Sequence, residues 1–161
     1  GPTWPRRLTW RIAPDTVERS WPAGHAVSFL LDTHIISELR RPKAHPSLLA
    51  WFDTQPSAAL FLSVVTAGQI RQGLEQLRQR DARQAGRLDR WLNGLTQFYA
   101  DRLLFVDGTV ADEWGRMRAR RSVPVMDALI AATARVHNLT LVTRNVRDFA
   151  DLGVNVLNPF E

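Results

Sequence analysis

Four side chains in this sequence stand where chemistry could be done. Asp32 closes the short apolar run Ser28-Phe29-Leu30-Leu31. Asn145 follows the run from Thr140 to Thr143, and Asp148 comes three residues later. Asp127 opens a segment that continues Ala128-Leu129-Ile130-Ala131-Ala132. An acid in so apolar a helix costs free energy unless it is paired or metal-bound. If the two runs are parallel strands, their carboxyl ends form the ligand-binding edge of the sheet. Asp32, Asp127 and Asn145 or Asp148 can then meet there. Crowded carboxylates repel, and a hard divalent cation relieves the repulsion. Mg2+ or Mn2+ held in this way activates water and stabilises the charge of phosphodiester hydrolysis. Structural roles remain open for the same residues. Asp32 could cap a helix starting at Thr33. Asp127 could be a first-turn acid after Pro124. Asp148 could cap a short turn.

The elements that must position these groups follow from periodicity. A strand is expected through Leu31 and a helix from Thr33 to Arg41, stopped by Pro42. A helix is expected from Pro46 to Thr54 and a strand from Ala58 to Leu62. Thr66 to Gln79 places Ile70, Leu74 and Leu77 on one helical face, and Asp81 to Tyr99 repeats the pattern. Leu103 to Val106 reads as a strand and Val110 to Arg120 as a helix. Pro124 sits where a helix to His137 would start. Strands at Thr140 to Thr143 and Val154 to Leu157 complete the series. Alternating strands and helices imply an α/β, three-layer arrangement with a mainly parallel sheet. Residues 27–161 form this one domain.

Composition narrows the class. The chain has 161 residues, with 45% hydrophobic and 23% charged, which describes a globular domain. No apolar run reaches the roughly 20 residues that span a bilayer. Cys is absent, which excludes disulfides, thiol catalysis and Cys-bound zinc. A reducing, cytoplasmic setting and no membrane partner are expected. Net charge is +5. Lys43 is the single lysine, so little titrates between His and Arg, and a small excess drives the pI to 11.1. Arg116, Arg118, Arg120 and Arg121 cluster before the Asp127 segment. They are candidates for RNA phosphates, or simply a solvated helix end. His25, His45 and His137 show no ligand spacing.

Residues 1–26 stand apart. Gly1-Pro2 reads as the remnant of a cleaved tag. The extension after it carries Trp4, Trp10 and Trp21 with Arg6, Arg7, Arg11 and Arg19. It is suited to lie along a groove, where an Arg could pair with Asp32 or Asp127. Packing or disorder accounts for the same composition.

Four motifs in order resemble one family. Phe29-Leu-Leu-Asp-Thr-His-Ile-Ile-Ser-Glu-Leu-Arg-Arg-Pro is similar to the opening of PIN-domain ribonucleases of the VapC toxin type, including the FitB-like branch. Val64-Val-Thr-Ala-Gly-Gln-Ile-Arg-Gln-Gly resembles their second motif and Met126-Asp-Ala-Leu-Ile-Ala-Ala-Thr-Ala their third. Leu141-Val-Thr-Arg-Asn-Val-Arg-Asp-Phe and the closing Val156-Leu-Asn-Pro-Phe resemble the fourth and the end. The resemblance implies a PIN-like three-layer domain. It also implies a Mg2+-dependent endoribonuclease toxin, with Mn2+ able to substitute, that is dimeric and silenced by a cognate antitoxin. Asp32 and Asp127 match metal-binding acids, and Asn145, with Asp148 nearby, matches the fourth position. Two positions depart from the pattern. Gln69 stands where Glu is usual, which implies an attenuated site or, alternatively, a degenerate domain that binds RNA or antitoxin without cutting. His34 stands where Asn is usual, either offering a ring nitrogen or filling space. Glu38 could restore negative charge if it faces the site.

Overall fold

The structure is a computed structural model and describes residues 27–161. The expectations placed on the tag remnant and the Arg-bearing extension lie outside the described residues. Five parallel strands form one sheet in the order β3-β2-β1-β4-β5. They are β1 (Phe29–Leu31), β2 (Leu60–Ser63), β3 (Leu103–Leu104), β4 (Thr140–Val142) and β5 (Val156–Leu157). Register pairs Leu30 with Phe61 and with Leu141 across the central three strands. Seven helices join them: α1 (Thr33–Arg40), α2 (Pro46–Thr54), α3 (Val64–Arg78), α4 (Ala82–Phe98), α5 (Gly108–Arg120), α6 (Val125–Val136) and α7 (Val146–Phe149).

Side-chain alternation along the strands divides the core in two. Phe29, Leu31, Leu60, Leu62 and Val142 join Ile35, Leu48, Ile70, Leu74 and Leu92 from α1 to α4. Leu30 and Leu141 point the other way, into Val110, Met117, Ile130, Ala131 and Phe149 from α5 to α7. The central strands are therefore buried on both faces, as parallel strands must be. The three-layer expectation holds.

Caps set the helix starts. Ser63 Oγ accepts from Val65 N at 3.0 Å, Asp81 Oδ1 from Gln84 N at 3.0 Å, and Asp107 Oδ1 from Val110 N at 2.9 Å. Each satisfies a backbone donor that the first turn leaves free. The Ser63 cap is why α3 begins two residues before the expected Thr66. Arg71 and Arg78 both pair with Glu75 and with Asp89, at 2.9 to 3.3 Å, and tie α3 to α4.

Three further differences have physical causes. Ala58 and Ala59 do not open β2. They form a 3-10 turn, Ser57–Ala59, with Ala59 N on Pro56 O at 3.0 Å. The Arg102 guanidinium donates to the carbonyls of Ser57, Leu60 and Phe98 and holds that turn. The last strand is shorter than Val154 to Leu157, and β3 ends at Leu104 with Phe105 and Val106 exposed. Finally, the amphipathic pair Thr66–Gln79 and Asp81–Tyr99 predicts more apolar face than one thin sheet can cover, a surface for a second copy, but α3 and α4 expose no large apolar side chain. Ile70, Leu74, Trp91, Leu92 and Leu95 are spent in the core, and the exposed apolar side chains lie instead at Phe105, Val106, Val125, Met126 and Val146.

Leu30 is fully buried at the centre of the sheet. Leu30→Ala is expected to cost about 2–5 kcal/mol through lost burial and a residual cavity. Urea unfolding followed by circular dichroism measures it.

Candidate active site

Asp32 is the first residue past β1 and the N-cap of α1. Its Oδ1 accepts from Ile35 N at 2.8 Å, and its own N–H donates to Val142 O at 3.1 Å. The carboxylate is 4% exposed. The Thr143 hydroxyl, just past β4, hydrogen-bonds it, and that hydroxyl accepts from Asn145 N at 3.1 Å. Burial raises the Asp32 carboxyl above the usual carboxylate range, and the Asp127 charge adds to the rise. The bonds from Thr143 and Ile35 and the charge of His34 work against it. Asp32 is therefore both a cap and part of a charged site. The capping role open in the sequence is therefore present, at a carboxyl that also feels the Asp127 charge.

Asp127 sits in the first turn of α6, behind Pro124. Burial raises it as well, followed by the charge of Asp148, while His34 opposes the rise. Asp148 is exposed in the first turn of α7, with its N–H on Asn145 O at 3.1 Å. The Asn145 side chain makes no cap to α7, although the residue occupies the N-cap position. Gln69 reaches the site from α3. Its Oε1 accepts from the Thr33 hydroxyl at 2.5 Å, and Thr33 Oγ1 lies 3.1 Å from Thr66 Oγ1. The residue after Asp32 thus holds Gln69.

Several expectations change. His34 is exposed, so it does not fill space in the core; its charge acts on both Asp32 and Asp127. Glu38 supplies no charge to the site. Its Oε1 accepts from His45 N at 3.1 Å and its Oε2 pairs with Arg41 at 3.3 Å, which closes the α1–α2 turn. The arginine cluster is largely engaged. Arg116 pairs with Asp112 at 3.1 Å and Arg120 with Glu113 at 3.6 Å. Arg118 donates to Val123 O at 3.2 Å and lies over the Trp114 ring. Arg121 donates to the carbonyls of Ala150 and Arg147 and braces α7. Thr33, Thr66 and Thr143 are positioning residues that spacing did not single out. Each lies inside a quoted motif, but a hydroxyl carries no charge signal in a sequence.

All donors gathered here are oxygen or amide groups, which suits a hard cation. Among the described residues no three His, Cys, Asp or Glu side chains converge as a metal cluster. The set is two carboxylates, Asp32 and Asp127, with the amides of Gln69 and Asn145 and with Asp148 at the margin. Carboxylate and amide oxygens of this kind are the donors that a hard divalent cation takes.

Residues 29–155 match the PIN domain family. The chain belongs to that family. This PIN domain is 33% identical over 137 residues to the plasmid stability protein StbB of Pseudomonas syringae pv. tomato, covering 82% of the chain and 98% of that protein. It is 31% identical over 136 residues to toxin FitB of Neisseria gonorrhoeae, covering 81% and 97%. Among solved structures, FitAcB from Neisseria gonorrhoeae superposes with a TM-score of 0.76 at 31% identity, covering 83% of this chain and 99% of that one. The PIN-like three-layer fold is thereby shown. PIN-domain ribonucleases are generally dependent on a divalent metal.

The raised carboxyls carry a stability consequence. Asp32 and Asp127 keep their protons to higher pH when folded than unfolded, where carboxyls titrate near about 4. The folded state then binds more protons, so their contribution favours folding at low pH and is lost as pH rises through the raised values. Asp127→Asn removes one such group. It is expected to raise Tm at about pH 7 and to leave it nearly unchanged at about pH 4. Thermal unfolding of both proteins across that range checks it, and a lower Tm for Asp127→Asn at neutral pH would contradict the assignment.

Proposed function

We propose that this PIN domain is a metal-dependent endoribonuclease and the toxin of a toxin–antitoxin pair. The observation that carries the reading is the placement of Asp32 just past β1 and Asp127 in the first turn of α6, at the carboxyl edge of a parallel sheet in a chain of this family. Relatives support the substrate class: the 31% identical FitB is named a toxin, and a 29% identical relative from Sinorhizobium fredii is named VapC ribonuclease Y4jK. A cognate antitoxin is the proposed protein partner.

Asp32 and Asp127 would hold Mg2+, with Mn2+ able to substitute. Such an ion supplies an acidified water and offsets charge on a phosphodiester. The chain's own residues do the rest. Ile35 N–H and the Thr143 hydroxyl orient the Asp32 carboxylate. The Thr33 hydroxyl fixes the Gln69 amide beside it. Asn145 offers an uncommitted amide, and burial, with the Asp148 charge second, keeps the Asp127 proton affinity high. Gln69 removes one negative charge from the family's arrangement and attenuates the site.

Sequencing the 5′ ends of total RNA after induction tests the reading. Discrete new ends are expected with the wild-type chain and none with Asp127→Asn. A chain that binds RNA but yields no ends would be a binding domain without cleavage. Gln69→Glu adds a charge facing the ion, worth about 1–3 kcal/mol as charge-assisted contacts are. Cleavage is expected to rise about 5- to 150-fold, and Mn2+ affinity measured by calorimetry should rise with it. An unchanged rate and affinity would remove position 69 from the site.

A homodimer is proposed as well. Phe105, just past β3, is 67% exposed, Val125 and Met126 at the start of α6 and Val146 at the start of α7 are exposed as well, and a second copy of the chain is the proposed occupant. Light scattering at micromolar concentration should give twice the chain mass, and Phe105→Glu should shift it to the monomer.

A further inference from the structure

We propose that Arg144 is a phosphate-gripping residue of the RNA path, held ready by the ring of Phe160. The proposal rests on the ribonuclease reading. Arg144 stands between Thr143, whose hydroxyl bonds Asp32, and Asn145. It therefore leaves the sheet at the lip of the site. Its guanidinium carbon lies 4.2 Å from the centroid of the Phe160 ring. That ring is itself fixed. His45 meets it edge-on, with centroids 5.1 Å apart at 72°, and Phe160 N donates to Asn158 Oδ1 at 3.0 Å. His45 is fixed in turn, its Nδ1 accepting from Ser47 N and its own N–H donating to Glu38.

A guanidinium that meets a ring with its face keeps the N–H donors of its edge free for a phosphate. Arg144 is exposed, and among the described residues no carboxylate pairs with it. The sequence-selected arginines differ in this respect. Arg116 and Arg120 are matched to Asp112 and Glu113, and Arg118 and Arg121 donate to backbone carbonyls. The edge also carries Asp32, Asp127 and Asp148, so a polyanion approaching it meets repulsion. An unpaired cation at the lip offsets that repulsion for one phosphate. Stacking on Phe160 limits the side chain's rotamers before RNA arrives, which lowers the ordering cost of the contact.

Fluorescence anisotropy tests this with a labelled single-stranded RNA of mixed sequence, using the full chain in its cleavage-dead Asp127→Asn form. Arg144→Ala should weaken binding by about tenfold and reduce the salt slope by about 0.7, the share of one phosphate on a single strand. Arg144→Lys should recover the slope but not the full affinity. Phe160→Leu should weaken binding while keeping the slope, and Phe160→Trp should restore it. A merely structural residue would move Tm and leave the slope alone. Unchanged RNA affinity and slope in Arg144→Ala overturn the proposal. If the Asp127→Asn chain does not bind RNA and the wild type does not cut it, the ribonuclease reading fails and takes this one with it. Cutting by wild type with an indifferent Arg144 sinks this inference alone.

Discussion

The buried carboxylate of Asp32 is the joint on which the rest of the structure turns. It ends β1, starts α1, and is reached from β4 through Thr143. A group so desolvated is tolerated only because backbone and hydroxyl donors meet it. Those donors come from the turn that follows β1 and from the strand beside it. The β1–β4 pairing, the entry angle of α1 and the orientation of one site acid are therefore settled together. Moving any of them would leave a charge without partners.

Around that joint the sheet separates two tasks. One face is filled by α1 to α4, the other by α5 to α7, and neighbouring residues of a strand serve opposite layers. Asp32 and Gln69 come from one layer, and Asp127 from the other. The site exists only where both layers meet the sheet's carboxyl edge. Its carboxyls cost stability when ionised, a cost the apolar packing on each side offsets. Much of α6 is alanine, which lets this helix lie close against the sheet and bring Asp127 to the edge.

Much of this was legible in the residues. The 3.6-residue spacing of Ile70 and Leu74, Pro46 at the start of α2 and the acids at 32 and 81 mark elements whose ends are set by local capping, whereas the Asp107 cap starts α5 two residues before the expected Val110. The candidate site acids stand out in the sequence because a carboxylate among apolar neighbours is rare. Less legible was anything decided by a distant partner. Ala58 and Ala59 look strand-like until Arg102 captures the carbonyls around them. Glu38 looks free until the turn at His45 takes it. The arginines near 120 look like a binding surface until Asp112, Glu113 and the α7 carbonyls engage them. Arg144 gave no charge pattern at all, because what distinguishes it is a ring sixteen residues away.

The shortness of the outermost strands has its own consequence. β3 and β5 are two residues each. An open sheet margin normally invites another chain to continue the ladder, in aggregation or in recognition by strand addition. Here such a visitor would find too little unpaired backbone to build on. Among the described residues the sheet margins thus offer little template for fibre-like stacking or for strand addition.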